Sequence, residues 1–277
     1  MAESSAKPLS MRSQKTTGVA CSQCNLSEIC VPAGLSRDAI HQFEKIVHKS
    51  PTLHTGDHVF RQGDSFTTVA AVRSGCFKSY VIDEDGNEQV LGFHLPGELL
   101  GLDAIYPKKH VCNVIALDTG GVCNLSYEEL QELSINLPDL QSQLFSTMSQ
   151  RIGELNTIAG AYSADQRMAA FLLALSLRFE SRGYSARSFN LVMSRSEIAN
   201  YLRLATETVS RVLTGFRTKG LIRVKRKLVE ILDHESLHEV AGSAFCNLDK
   251  NNLTPGTQRR VVYVADGGWM APGFDQD

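Results

Sequence analysis

Apolar residues recur at steps of three and four along residues 137–162: Leu140, Leu144, Met148, Ile152, Leu155, Ile158 and Tyr162. That spacing puts them on one stripe of a long α-helix. The stripe is a narrow seam with no broad apolar face beside it. Such a seam suits pairing of one helix with another from a second chain; the alternative is a helix packed on its own domain. Residues 35–47 read as a shorter helix, with Ser36 as N-cap and Ile40, Phe43, Ile46 and Val47 on one face.

Between residues 52 and 126 the period changes. Short apolar runs, at 69–72, 79–82 and 90–93, are separated by turn signals such as Arg61-Gln-Gly-Asp64, Ser74-Gly75, Asp85-Gly86, Pro96-Gly97 and Gly120-Gly121. Asp85-Gly86 between two such runs is a hairpin signal. Turns every 8–12 residues or so predict a β barrel or sandwich.

Helical spacing returns at 165–182 and stops at Gly183. Ser194-Arg-Ser-Glu197 then opens a helix with a capping box, serine at the cap and glutamate three residues on. It runs to about Leu202. After a short turn, residues 206–219 form the next helix, ended by Gly220. Two short alternating runs, 221–224 and 228–232, flank Lys225-Arg-Lys227. Two helices joined by a turn and followed by a basic hairpin describe a winged helix-turn-helix. Beyond about Cys246 no pattern is visible.

Composition narrows the class. With 277 residues and 43% hydrophobic content, the chain has material for two packed domains. No apolar run approaches the roughly 18 residues of a membrane span. No apolar stretch follows the basic N-terminal residues, which argues against a secretory signal. The expected setting is cytoplasmic, with no membrane partner and reduced thiols. Net charge is only −2, but residues 187–228 hold ten Lys/Arg against two Asp/Glu. A basic segment on an otherwise acidic chain is an electrostatic footprint for nucleic acid.

In a helix-turn-helix the start of the second helix enters the major groove. Here it begins Thr206-Glu-Thr-Val-Ser-Arg211, so Glu207, Ser210 and Arg211 share a face while Val209, Val212, Leu213 and Phe216 share the other. Arginine can donate two hydrogen bonds to guanine, and a carboxylate can accept from cytosine. Glu207, Ser210 and Arg211 are therefore the candidate readers of double-stranded DNA. Arg195, Arg203, Arg217 and Lys219 are the candidate phosphate contacts, with Lys225, Arg226 and Lys227 beside them. The bland reading of Glu207 and Arg211 is a surface ion pair.

The seven cysteines lie at 21, 24, 30, 76, 112, 123 and 246. An odd number in a reducing setting points to metal ligation or buried thiols rather than disulfides. Cys21-Ser-Gln-Cys24-Asn-Leu-Ser-Glu-Ile-Cys30 gathers three soft ligands in one loop, suited to zinc or an iron–sulfur cluster. Spacing leaves a cluster, zinc and incidental thiols all open, and does not select a fourth ligand. No Gly-x-Gly-x-x-Gly follows a strand, no P-loop is present, and nothing asks for a nucleophilic triad. The chain is not expected to be an enzyme; an iron–sulfur redox enzyme or electron carrier is the rival, and a milder one keeps the DNA-binding role but has the thiols bind zinc or sense nitric oxide or peroxide directly.

These residues resemble the Crp/Fnr superfamily of bacterial regulators, and within it the oxygen-sensing Fnr branch. The resemblance spans about residues 21–242. It rests on the loop ending Cys30-Val-Pro32, on Arg73-Ser-Gly75, Lys78-Ser-Tyr80, Gly92-Phe-His-Leu95, Pro96-Gly97-Glu98 and Asp103-Ala-Ile105, and on Glu207-Thr-Val-Ser-Arg211. It implies an α+β fold: an N-terminal cyclic-nucleotide-binding-like β-roll, a long dimerisation helix and a C-terminal winged helix-turn-helix. The implied units are a flexible N-terminus with the cysteine loop (1–35), the roll (36–137), the dimer helix (138–165), the DNA-binding unit (166–245) and a loose tail (246–277).

The resemblance also supplies the fourth ligand. It implies a 4Fe-4S cluster held by Cys21, Cys24, Cys30 and Cys123, with Cys76 and Cys112 as core thiols. It implies a homodimer on palindromic TTGAT-like half-sites, with Leu144, Met148, Ile152, Leu155 and Ile158 in the seam. RNA polymerase contact through the Asp83 to Gly86 turn is implied too. A cyclic nucleotide is not expected, because no Arg-Ser pair follows Gly97-Glu98 in residues 108–116. One departure stands out: the Fnr branch carries a repelling aspartate on the dimer helix where this chain has Leu155, with Glu154 beside it.

Overall fold

The computed structural model describes residues 21–159 and 162–245, and of residues 150 and 153–159 the backbone alone. The readings made for residues 1–20, for the side chains of Leu155 and Ile158, and for Cys246 and the tail lie outside the described residues.

After a 3-10 turn at Cys21–Gln23 comes α1 (Arg37–Lys45), capped by the Ser36 hydroxyl on the Ala39 N–H. Val47 is not on this helix. It opens β1 (Val47–Lys49), because the helix closes at Ile46 and the chain turns to pair with a strand. Then follow β2 (His58–Phe60), β3 (Thr68–Ser74), β4 (Phe77–Ile82), β5 (Glu88–His94), β6 (Leu99–Leu100), β7 (Asn113–Ala116) and β8 (Gly121–Ser126). They form two antiparallel four-stranded sheets, β1-β8-β3-β6 and β2-β7-β4-β5.

Strand parity divides the side chains between two cores. On β3, Ala70 and Val72 point between the sheets, where they meet Phe77, Leu100, Val114 and Val122. Val69 and Ala71 point to the outer face, where they meet Leu35, Phe43, Leu125, Leu130 and Leu140. The outer core is covered by α1 and by α2 (Tyr127–Asn136), a helix the apolar pattern did not reveal.

The long helix α3 spans Pro138–Ala159, so Tyr162 falls outside it. Helix α4 (Ala164–Glu180) starts at a capping box of Ser163 and Gln166. Next come β9 (Ser188–Asn190), α5 (Arg195–Tyr201), α6 (Thr206–Thr218), β10 (Ile222–Lys225), β11 (Leu228–Ile231) and α7 (His234–Ala241). Strands β10-β11-β9 make the wing sheet. The β-roll, long helix and winged helix-turn-helix are those expected. A third core is continuous across the roll and this unit: Cys76, Val90, Phe93 and Leu95 pack in one cluster with α4, α5 and α6.

Candidate thiol centre and nucleic-acid interface

The thiol loop is shaped by its own backbone. The Cys24 N–H donates to Cys21 O at 3.1 Å and the Cys30 N–H to Leu26 O at 2.8 Å, tight turns that fold three cysteines together. Val31, Ala33 and Leu35 follow as buried residues and fix the loop's end in the outer core. Ser22 is tied to α1: its N–H and hydroxyl donate to Glu44 Oε1 at 2.8 and 2.9 Å.

Strand parity brings in the fourth thiol. Cys123 lies on β8 two residues from Leu125, so both face the outer core, while Val122 faces inward. Cys21, Cys30 and Cys123 all pack against that outer core. Charge on one thiol is felt by the others: Cys123 and Cys24 raise the pKa of Cys21, Cys123, Cys21 and Cys24 raise that of Cys30, and Cys24 raises that of Cys123. In the first three places burial is the larger cause, pushing Cys21 up to about 11 and Cys30 up to about 12 and also lifting Cys123. The structure thus places Cys21, Cys30 and Cys123 against one outer core, with Cys24 in the same loop as Cys21 and Cys30. Cys76 and Cys112 are buried elsewhere, 2% and 4% exposed.

Among the described residues no three His, Cys, Asp or Glu side chains are gathered so as to hold a metal ion. The chemistry of the donor set nonetheless suits a thiolate-bound group: three soft ligands in one loop and a fourth on β8, all free and half-buried, with Lys49 and Arg73 near Cys123. Arg73 on β3 and Lys49 on β1 both act to lower the Cys123 pKa. Sequence reasoning missed Glu44, Lys49 and Arg73, since only the sheet pairing of Lys49 and Ala71 with Cys123 brings those strands to the thiol.

At the other end, α5 and α6 pack through Ile198, Ala199, Leu202, Val209, Val212, Leu213 and Phe216, all buried. Glu207 and Arg211 stand exposed on the opposite face, with Ser210 half-buried between them. The two charged groups make no ion pair with each other; among the described residues, the carboxylates of this unit that do pair are Glu197 and Glu230. Both are therefore available to an external partner. Arg195, Arg203, Arg217 and Lys219 are exposed, as are Lys225, Arg226 and Lys227 at the wing tip. Helix α6 has Ala205 at its N-cap and no side-chain cap, and uncapped helix N-termini suit phosphate.

The seam residues fare differently from one another. Leu140 is fully buried in its own chain's outer core and Leu144 packs against it. Met148 and Ile152 line a cavity of about 390 Å³ between the roll, α3 and α4. Ile152 is 61% exposed, as is Phe145 at 63%, a residue absent from the apolar stripe. No Arg-Ser pair stands in residues 108–116, and the guanidinium groups at this cavity come from elsewhere in the chain. Arg151, Arg167 and Arg178 line this cavity from α3 and α4. Arg151 and Arg178 bind Glu98, and Arg167 donates to Leu202 O.

Comparison with known proteins agrees with this architecture. Residues 51–136 match the cyclic nucleotide-binding domain family, and residues 166–240 the Crp-like helix-turn-helix domain. The chain is 43% identical over 227 residues to the transcriptional activator protein FnrA of Stutzerimonas stutzeri, covering 81% of this chain and 93% of that protein. It is 44% identical to the transcriptional activator protein Anr of Pseudomonas aeruginosa, over 80% and 92% of the two chains. Identity to the fumarate and nitrate reduction regulatory protein of Escherichia coli K12 is 38%, over 80% and 90%. The solved structure of FixK2 from Bradyrhizobium japonicum superposes with a TM-score of 0.62 at 23% identity, covering 71% of this chain and 98% of that one. That likeness concerns the fold.

Proposed function

The chain belongs to the Crp/Fnr superfamily of bacterial transcription regulators, in its Fnr branch, and from that premise we propose that it senses oxygen or redox state through a 4Fe-4S cluster. It then controls anaerobic or microaerobic genes as a homodimer on palindromic TTGAT-like half-sites. The observation that supports this reading is that Cys21, Cys30 and Cys123 pack against one outer core, with Cys24 in the same loop as the first two.

Cys21, Cys24, Cys30 and Cys123 would hold the cluster, and bound there it would supply an oxygen-labile redox centre. The loop and β8 orient the four sulfurs, Glu44 fixes the loop on α1, and Lys49 and Arg73 offset negative charge at Cys123. Glu207, Ser210 and Arg211 read base edges. Arg195, Arg203, Arg217 and Lys219 set register on the backbone. The exposed Asp83 to Gly86 turn is the surface offered to RNA polymerase. This reading includes no cyclic nucleotide, because no Arg-Ser pair follows Gly97-Glu98 in residues 108–116.

The test is anaerobic purification with iron, sulfide and zinc analysis. The expected result is a brown protein with iron and sulfide in equal amount that bleaches in air. Cys123→Ala should lose that colour while Cys76→Ala keeps it. A colourless protein with stoichiometric zinc would instead support a thiol–zinc sensor on the same fold.

A further inference from the structure

The turn Pro96-Gly97-Glu98 is held from two sides by parts of the molecule with different tasks. On one side lies the thiol loop. Gly97 has φ +93°, the left-handed region that favours glycine, and a side-chain carbon there would sit 3.2 Å from Ile29 Cγ1 and 3.2 Å from Ile29 O. Ile29, the residue before Cys30, thus rests directly on the turn.

On the other side lies α4, the first helix of the DNA-binding unit. Arg178 Nε and Nη2 donate to Glu98 Oε1 and Oε2 at 2.9 and 2.7 Å. Arg182 Nη2 donates to Glu98 Oε1 at 2.7 Å, and its Nε to Pro96 O at 2.7 Å. Arg151 of α3 reaches Glu98 Oε2 at 3.2 Å. The Glu98 side chain is 17% exposed. Its burial works against ionisation, but the arginines outweigh it and hold the carboxyl well below the usual range. The turn itself is pinned to β3, with the Gly97 N–H on Val72 O and the Val72 N–H on Glu98 O.

The reading face of α6 stays exposed while this junction is closed, so the junction does not hide it. What it fixes is where α4, and with it the reading helix, stands relative to the roll. A dimer needs that placement, because two reading helices must meet half-sites one helical turn apart.

We propose that the turn Pro96-Gly97-Glu98 is a mechanical joint through which the state of the thiol loop sets the position of the DNA-reading unit, with Glu98 as the positioning residue. Reorganisation of the loop shifts Ile29 on Gly97, and the adjoining carboxylate carries the shift to Arg178 and Arg182. This route rests on the reading of the loop as the sensor and of the protein as a DNA-binding dimer. It acts inside one chain, separately from the pairing of two chains.

The test is a double-mutant cycle of Ile29→Ala and Glu98→Gln in the full chain. The readouts are affinity for a two-half-site duplex and hydrogen exchange of α4, with cluster absorbance and sedimentation recorded alongside. Each single variant is expected to weaken binding and loosen α4. The double variant should fall short of their product by about threefold or more in affinity. Arg178→Lys, which keeps the charge but loses the two-pronged contact, should reproduce Glu98→Gln if the latter folds poorly. Strictly multiplicative effects, or wild-type affinity and α4 exchange in both Glu98→Gln and Arg178→Lys, would overturn the proposal. Failure of the wild type to take up a cluster or bind the duplex would show in absorbance and affinity, and would count against the functional reading instead.

Discussion

His94 shows how two neighbours fix one proton. Arg151 Nη2 donates to its Nδ1 at 3.1 Å, so Nε2 carries the hydrogen and points it at Ser79 Oγ, 2.9 Å away. This serine–histidine pair cannot act as a nucleophile and base, since the ring nitrogen facing the serine is already protonated. Burial, and then the Arg151 charge, push the His94 pKa down to about 3. In the unfolded chain the value returns to about 6.5. Between those values the unfolded state binds a proton that the folded state does not. Stability from this group is therefore complete above about pH 6.5 and is lost as pH falls, with a slope approaching about 1.4 kcal/mol per pH unit. Glu98, whose pKa is also depressed, acts in the same direction at lower pH. Melting temperature should decline on acidification from about pH 7 to about pH 5, and His94→Gln should flatten that decline. An equal decline in both proteins would assign the acid sensitivity to other groups.

Single elements carry tasks that join parts of the molecule. Glu197 closes the capping box of α5 through Oε2 on the Ser194 N–H at 2.8 Å, while its Oε1 accepts from Lys78 of β4 at 2.9 Å. Asn200 on the same helix accepts from the Val90 N–H and donates to Glu88 O of β5. Ser194→Ala is expected to lower stability by about 1 kcal/mol in denaturant unfolding. Glu197→Gln preserves the cap and removes the charge opposite Lys78, so it should loosen the contact with the roll more than it destabilises α5. Hydrogen exchange across β4 and α5 separates the two effects. The capping box was legible in the sequence, as were the strands with their turns and the long stripe of α3, because each is a local pattern. Helix α2 also carried a signal, Ser126 three residues before Glu129, but no apolar period marks it. Strand β9 is three residues long, too short to show alternation. The Glu98 junction was out of reach for a different reason: its arginines lie 53, 80 and 84 residues away, and no periodicity relates them. At the thiol centre, spacing supplied three ligands. The fourth depends on how β8 sits in the sheet, which a resemblance could suggest and spacing could not.

For the whole molecule, the decisive question is what holds two chains together. Helix α3 divides its apolar residues between two tasks. Leu140 is consumed by its own chain's core, whereas Phe145 and Ile152, seven residues apart and so on one face, stand exposed. Covering a large apolar side chain contributes about 1.5–3 kcal/mol, and a two-fold pair of helices does so on both chains. Leu155, three residues beyond Ile152, extends this face in the sequence. On the alignment the resemblance implies, the proposed seam would set two leucines where the Fnr branch sets two aspartates, so a repulsion of up to about 4 kcal/mol for charges ~4 Å apart near a surface would be absent. Cluster loss should then leave the dimer intact, and control would pass to the position of the reading helices within it. The expected outcome is that air-exposed, cluster-free protein sediments as a dimer at micromolar concentration. Leu155→Asp should convert it to a monomer, and Ile152→Ser should weaken it by a smaller step. A clean wild-type monomer would overturn this and move the repulsion to Glu154, in which case Glu154→Ala, and not a change at Leu155, would restore the dimer.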